Sequence, residues 1–215
     1  MKLRIFSIAT ITLLTAMSSP ASAGILDWLY KIQSPFETRA SAPINTVGAA
    51  LRGNSCAGGE NVRAIVPTDN QAVLSRGQEF VVSLAKTGLS GKPAVLTITN
   101  ENNYFSQEEV TLPDSEIALV RSQAQLDQLG EYDWSIRVAC GQEFDVNDNV
   151  VTGKVTLSEG NPDIKTSIQN GQFYNAIALS VAEHEQEETE LLATILSYVE
   201  QPAIDQDSIM IVETK

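Results

Sequence analysis

Residues 130–140 read GEYDWSIRVAC, and every second side chain from Tyr132 to Cys140 is apolar. This period of two is typical of a β-strand that buries one face. We therefore predict a central strand, with Trp134 filling the space between two sheets. The alternative is that Tyr132 and Trp134 form a platform for stacking sugars. Core packing is favoured because both share a face with Ile136.

The same alternation recurs in six further short runs. They are residues 62–66, 78–85, 94–99, 104–112, 116–121 and 150–157. Turn residues separate these runs, and no long helical pattern lies between them. The pattern predicts a mainly β fold, an antiparallel β-sandwich of the immunoglobulin or fibronectin type III kind, which we place at residues 55–160.

The N-terminus has the three parts of a cleavable signal peptide, which we assign to residues 1–23. Lys2 and Arg4 give a basic end, residues 5–16 are apolar, and residues 20–23 form a small-residue cleavage site. A retained membrane anchor would need an apolar run of about 18 residues or more. The sequence therefore predicts an exported protein, periplasmic or extracellular, with no integral membrane segment after cleavage.

The charge of the chain argues against nucleic acid as a partner. It has 14 basic and 27 acidic residues, a formal net charge of −13. Binding to phosphates needs a patch of Lys and Arg, and the sequence after the signal peptide contains no such cluster. The same charge disfavours anionic membrane surfaces and favours solubility.

The two cysteines, Cys56 and Cys140, both lie in the exported part of the chain. An even number of cysteines in an oxidising compartment predicts a disulfide. A catalytic or metal-binding thiol is the alternative, but it requires a nearby His, Lys or second Cys at short spacing, and the sequence offers none.

After the sandwich the period of the apolar residues becomes helical, and we assign residues 161–202 to a helical extension, a C-terminal hairpin of helices. Two apolar stripes stand out. They are Phe173, Ile177 and Val181, and Leu191, Ile195 and Val199. We predict that these helices pack chiefly on each other and leave an exposed patch for a partner, formed by Tyr174, Ala178 and Leu192.

Two segments flank these regions. Residues 24–54 are predicted to form a linker, rich in small residues after a short amphipathic turn near its start. Residues 203–215 are predicted to be a flexible tail. The alternative for the tail is an edge strand at residues 209–212, which are all apolar.

Four segments together resemble a known family. They are Cys56, residues 63–67, residues 132–140 and residues 170–176. The order of these motifs resembles the cyanobacterial secreted family catalogued as domain of unknown function 928. The resemblance implies export, a sandwich and a helical extension. It carries over no catalytic residue, because that family has no established activity.

Candidate chemistry is sparse. His184 is the only histidine and lies in a glutamate-rich stretch, and no G-x-S-x-G motif accompanies it. Asp145, Asn147 and Asn149 place oxygen ligands at alternate positions, as calcium loops do. The glycine and glutamate of a complete EF-hand loop are missing, so an ordinary turn between strands is the favoured interpretation.

We expect no enzyme activity and no cofactor. The favoured function is an interaction or accessory module whose loops or helices bind an envelope protein or glycan. Two alternatives stay open. One is a hydrolase that acts on envelope polymers through acidic residues, and the other is a surface domain stabilised by calcium.

Overall fold

The computed structural model describes residues 21–29, 49–52, 56, 59–66, 72–183, 189–199 and 204–215. Residues 1–20 of the predicted signal peptide, most of the predicted linker and His184 lie outside the described residues.

The described residues form ten strands and four helices. The strands are β1 Ala49–Arg52, β2 Asn61–Ala64, β3 Val73–Ser75, β4 Val81–Thr87, β5 Pro93–Asn100, β6 Phe105–Thr111, β7 Ile117–Arg121, β8 Gly130–Val138, β9 Asn149–Ser158 and β10 Ile209–Glu213. The helices are α1 Ala21–Leu29, α2 Ile164–Gln169, α3 Phe173–Glu183 and α4 Thr189–Ser197. A short 3₁₀ turn, Gln206–Ser208, precedes β10.

The strands form two sheets. The six-stranded sheet has the order β1-β9-β8-β5-β6, with β3 added in parallel to β9. The four-stranded sheet has the order β10-β7-β4-β2. Each of the seven predicted runs contains a strand, and the sandwich is confirmed. β1 and β3 were not expected as part of it, and β10 corresponds to the edge strand that was the alternative for the tail.

The core role of β8 is confirmed. It is hydrogen-bonded to β5 on one side and β9 on the other. Tyr132, Trp134 and Ile136 point into the core and are almost completely buried, whereas Asp133 lies on the exposed face. The Trp134 ring packs 6.2 Å from that of Phe80, so it fills the space between the sheets.

The four-stranded sheet is buried on both of its faces. On β7, Ala118 and Val120 face the core of the sandwich, and Ile117 and Leu119 belong to a second core beneath the helices. Because successive side chains of a strand point to opposite faces, the alternation places the two cores on either side of one sheet. The molecule therefore has three layers, with the helices as the third.

The predicted exposed patch is wrong. Tyr174, Ala178 and Leu192 are all buried, the first two in the sandwich core and Leu192 in the second core. The helices pack on the four-stranded sheet as well as on each other. Because α3 lies against β3 of the six-stranded sheet and β4 of the four-stranded sheet, with α2 and α4 beside it, nearly its whole circumference is buried.

The end of the chain is an edge strand and not a flexible tail. β10 runs parallel to β7, with Ile209 opposite Ile117. The next residues cross to the other sheet, where the Lys215 backbone N–H donates to the Glu109 carbonyl of β6 at 2.8 Å. The C-terminus thus connects the two sheets at one side of the sandwich.

A buried carboxylate holds this connection. Glu108 on β6 accepts hydrogen bonds from the hydroxyls of Ser106, Ser122 and Thr214 and from the backbone N–H of Gln123. A buried carboxylate is tolerated only when its oxygens are satisfied. Thr214, which we had assigned to a flexible tail, is one of the groups that satisfy it.

Helix α1 includes the predicted amphipathic turn and extends across the predicted cleavage point after Ala23. It packs against α4, where the Tyr198 hydroxyl donates to the Leu29 carbonyl at 2.6 Å. In the described part of the chain, the helices are too short or too polar to cross a membrane.

The burial of Tyr174 gives a stability prediction. Its hydroxyl accepts a hydrogen bond from Trp134 Nε1 at 3.2 Å. We expect Tyr174→Ala to lower the free energy of unfolding by about 3–5 kcal/mol, as removal of a buried aromatic ring does. Tyr174→Phe keeps the ring and should cost only about 1–2 kcal/mol for the lost hydrogen bond. Urea unfolding of both variants measures this, and equal losses would contradict the packing.

Candidate functional site

The predicted disulfide is present between Cys56 and Cys140, with Cα atoms 5.3 Å apart. Cys56 precedes β2 and Cys140 follows β8, so the bond ties the two sheets together. A loop of 84 residues is closed, which corresponds to about 4–5 kcal/mol in the chain-entropy model. Asn149, itself buried, donates from Nδ2 to Cys56 Sγ at 2.9 Å.

The loop after the disulfide is organised by Asp148. Its buried carboxylate accepts from Arg137 Nε at 2.8 Å, from the backbone N–H of Asp145 at 2.9 Å and from that of Cys140 at 3.2 Å. The Arg137 guanidinium also lies 5.4 Å from the centre of the Phe144 ring. The tip of the loop is left exposed, and Val146 at 97% is almost fully accessible.

The positions of the side chains in this loop favour an ordinary turn over the calcium interpretation. Asp145 and Asn147 are exposed, but Asn149 is turned into the core beside the disulfide. The three oxygen side chains therefore do not converge on a common centre. No cluster of three or more His, Cys, Asp or Glu side chains suited to a metal occurs within the described residues. The ion pair between Arg137 and Asp148 stabilises the loop.

A cleft of about 500 Å³ opens where the helical layer ends. Its floor is the helix-facing side of the four-stranded sheet. Arg63 lies opposite Ala85 and Asn61 lies opposite Thr87, so these four side chains share that face. Ile65, two residues further along, is already buried beneath the helices. We call this space the β2–β4 cleft.

The wall of the β2–β4 cleft is formed by residues 204–208. The Ile204 backbone N–H donates to Ser197 Oγ at 2.9 Å, which anchors the wall to the end of α4. Asp205 caps the 3₁₀ turn, and its carboxylate accepts from the Asp207 backbone N–H at 3.1 Å. Such caps fix the local backbone, so the wall is held in place.

The β2–β4 cleft carries charges of both signs. Arg63 on the floor supplies positive charge, and Asp205 on the wall supplies negative charge. The register of the strands turns the side chains of Lys86 and Glu116 to the other face of the sheet. Desolvation lowers the pKa of Arg63. Desolvation also lowers the pKa of Lys86, although the charge of Asp114 partly opposes that shift. Both cations are therefore partly shielded from water.

Two other clefts in the described part of the chain differ. One of about 470 Å³ contains Arg121, which is held by the Glu79 carboxylate at 2.7 Å and by Glu213 at 3.4 Å. Another, of about 620 Å³, borders α4 and includes Glu190 and Asp205 but no basic side chain. The β2–β4 cleft differs from both in its floor, which is formed by paired strands of the four-stranded sheet.

The sequence contained part of this signal. Arg63 interrupts the apolar run of residues 62–66, and strand alternation places it opposite in direction to Val62. The cleft was missed because its wall lies about 140 residues later in the chain, in the segment assigned to a flexible tail.

The model of the family described as Domain of Unknown Function 928 matches residues 47–198. The chain belongs to this family. The match extends from just before β1 to the end of α4, and therefore includes the floor of the β2–β4 cleft and not its wall.

No curated protein matches the chain. Among solved structures, one similar chain is the CARDB domain of a Pyrococcus furiosus protein, crystallised in complex with di-metal ions. The two share 15% sequence identity over 54% of this chain and 99% of that one, with a TM-score of 0.29.

The Asp148 loop gives a test of ion pair against calcium. We expect Asp148→Asn to lower the free energy of unfolding by about 2 kcal/mol, because hydrogen bonds to a buried charged group are lost. Asp145→Asn, at an exposed position, should change it by less than about 0.5 kcal/mol. Calcium chloride should leave the melting temperature unchanged. A rise in melting temperature that a chelator reverses would restore the calcium interpretation.

Proposed function

We propose that this member of the family is an exported, non-enzymatic interaction module, periplasmic or extracellular, that holds an envelope protein or glycan in the β2–β4 cleft. The observation that carries the proposal is the cleft itself. It has a volume of about 500 Å³, its wall is held by hydrogen bonds, and Arg63 and Asp205 belong to its lining. Small-molecule sites in proteins have volumes of this order.

Export is supported by the sequence and by the disulfide. The N-terminal basic, apolar and small-residue regions fit a signal peptide. The Cys56–Cys140 bond is of the kind that persists in oxidising compartments and is rare in the cytosol. The resemblance to a cyanobacterial secreted family points the same way.

A binding role is favoured over catalysis by the use of the buried carboxylates. Glu108 is occupied by three hydroxyls and a backbone N–H, and Asp148 by Arg137 and two backbone N–H groups. The oxygens of both carboxylates are therefore taken up by hydrogen bonds that hold the fold together. Catalytic acids and bases instead need access to a substrate.

The rigidity of the cleft also supports a binding role. Its floor lies on a sheet buried on both faces, and its wall is anchored to α4 and capped by Asp205. A preformed site loses less conformational entropy when a ligand binds. A partner could therefore bind in the cleft without a rearrangement of its floor or wall.

Export is tested by the site of cleavage. We expect the chain recovered from the exported fraction to begin at Gly24, with the disulfide formed. Ala23→Arg should block processing, because the peptidase admits only small side chains at this position. Ala23→Ser keeps a small side chain and is the matched control. Intact mass and N-terminal sequencing measure the result. A cytosolic chain of full length with reduced cysteines would contradict export.

The binding site is tested by cross-linking in the source cells. We place a photo-cross-linkable residue at Thr87, which lines the β2–β4 cleft, or at Thr111, an exposed control position on β6. Adducts are expected from position 87 and not from position 111. A discrete band indicates a protein partner, and a smear that glycosidase removes indicates a glycan. No adduct at either position, or equal adducts at both, would overturn the proposed site.

A further inference from the structure

We propose that the disulfide between Cys56 and Cys140 is a site of thiol–disulfide exchange, at which a low-molecular-weight thiol forms a mixed disulfide with Cys140. The sulfur of the incoming thiolate bonds to Cys140 Sγ, the bond between the two cysteines breaks, and its electron pair leaves with Cys56 as a thiolate. The incoming thiol is thereby oxidised and Cys56 is reduced. Neither cysteine lines the β2–β4 cleft, so this site is independent of the proposed binding site.

The two cysteines differ in their access to solvent. Cys56 is buried in the sandwich core, whereas Cys140 is only partly buried. Residues 141–147, which follow Cys140, are all exposed. Gly141 has no side chain, and apart from its chain neighbours the nearest atoms to the place of a Cβ belong to the Glu143 backbone at 3.8 Å, so the space there is open. Because access governs which sulfur is attacked, an incoming thiolate reacts at Cys140.

The leaving sulfur has a hydrogen-bond donor in place. Asn149 is completely buried, and its Nδ2 lies 2.9 Å from Cys56 Sγ. Its Oδ1 has no hydrogen-bond partner within the described residues, so the amide is directed at the disulfide. Hydrogen bonds to a charged acceptor are stronger than those to a neutral one, so this N–H stabilises the negative charge that develops on Cys56. A stabilised thiolate is the better leaving group.

Other hydrogen bonds hold the two cysteines when the bond between them opens. The Cys140 backbone N–H donates to Asp148 Oδ1 at 3.2 Å, and the Cys56 backbone N–H donates to the Glu60 carbonyl at 3.1 Å. The Asn147 carbonyl oxygen lies 3.3 Å from Cys140 Sγ, where it can accept from a Cys140 thiol after complete reduction. Exchange at Cys140 therefore needs no unfolding of the sandwich.

The test uses the secreted, processed protein and cysteamine as the thiol. Cysteamine is small and cationic, which suits the acidic residues Glu143 and Asp145 in the loop after Cys140. Acid added at short times protonates the thiolates and stops exchange, and free thiols are then alkylated in denaturant. Peptide mass mapping shows which cysteine carries cysteamine. We expect about tenfold more of it on Cys140 than on Cys56.

Two variants test the role of Asn149. Asn149→Leu keeps a side chain of similar size but removes the N–H, and should slow exchange by about five- to tenfold, the effect of one lost hydrogen bond. Asn147→Leu is the matched control at an exposed position of the same loop and should leave the rate unchanged. A purely structural role of Asn149 predicts the opposite sign, because a less stable protein unfolds more often and exposes its disulfide.

Several results would overturn the proposal. Cysteamine found equally on both cysteines, or mainly on Cys56, would contradict attack at Cys140. A rate that rises with urea in proportion to the unfolded fraction would show that the disulfide opens only when the sandwich unfolds. The absence of any mixed disulfide would exclude exchange altogether. Exchange in Asn149→Leu as fast as in the unchanged protein, or faster, would remove the role of the amide. Urea unfolding of each variant verifies that it is folded.

Discussion

The structure depends on the burial of the four-stranded sheet on both faces. β4 and β7 contribute alternate side chains to two cores, one shared with the six-stranded sheet and one with the helices. A strand buried on both faces carries a nearly continuous apolar run, and Ile117–Val120 is such a run. If the helices were removed, Val81, Ile117 and Leu119 would face water. The helices are therefore an obligatory layer of the fold, and not an appendage.

The same constraint explains the end of the chain. β7 would be an edge strand with unpaired backbone groups if β10 were not beside it, and exposed edges favour aggregation. β10 covers that edge, and its Ile209 and Ile211 extend the second core. Thr214 then reaches the buried Glu108 on β6. The final residues thus join the two sheets, as the disulfide does, but by hydrogen bonds instead of a covalent bond.

The β2–β4 cleft is a consequence of the unequal lengths of these layers. The floor strands continue past the point where the helices stop, so Arg63 is accessible while Ile65 is covered. Residues 204–208 turn over this uncovered surface on their way to β10. The floor and the wall of the cleft are held in place because they belong to, or are anchored to, these packed layers. This is a common way for a fold to present a specific surface.

The sequence by itself determined seven of the ten described strands, the disulfide and the C-terminal helices. The apolar residues around Trp134 recur at every second position, which is the period of a β-strand. Two cysteines can form only one intramolecular disulfide. It did not determine what the helices touch. On α3, periodicity cannot say that Tyr174 contacts the sandwich core while Ile177 contacts the second core.

Only the tertiary structure decided the tail, the loop and the cleft. An apolar run at residues 209–212 becomes a strand because β7 offers an unpaired edge, which is a property of a distant segment. Asn149 faces the disulfide and not a cation because it begins a strand whose inward face is fixed by the core. The cleft brings together Arg63 and Asp205, which lie about 140 residues apart in the sequence. Local patterns record which face of an element is apolar, whereas a binding site depends on which elements meet.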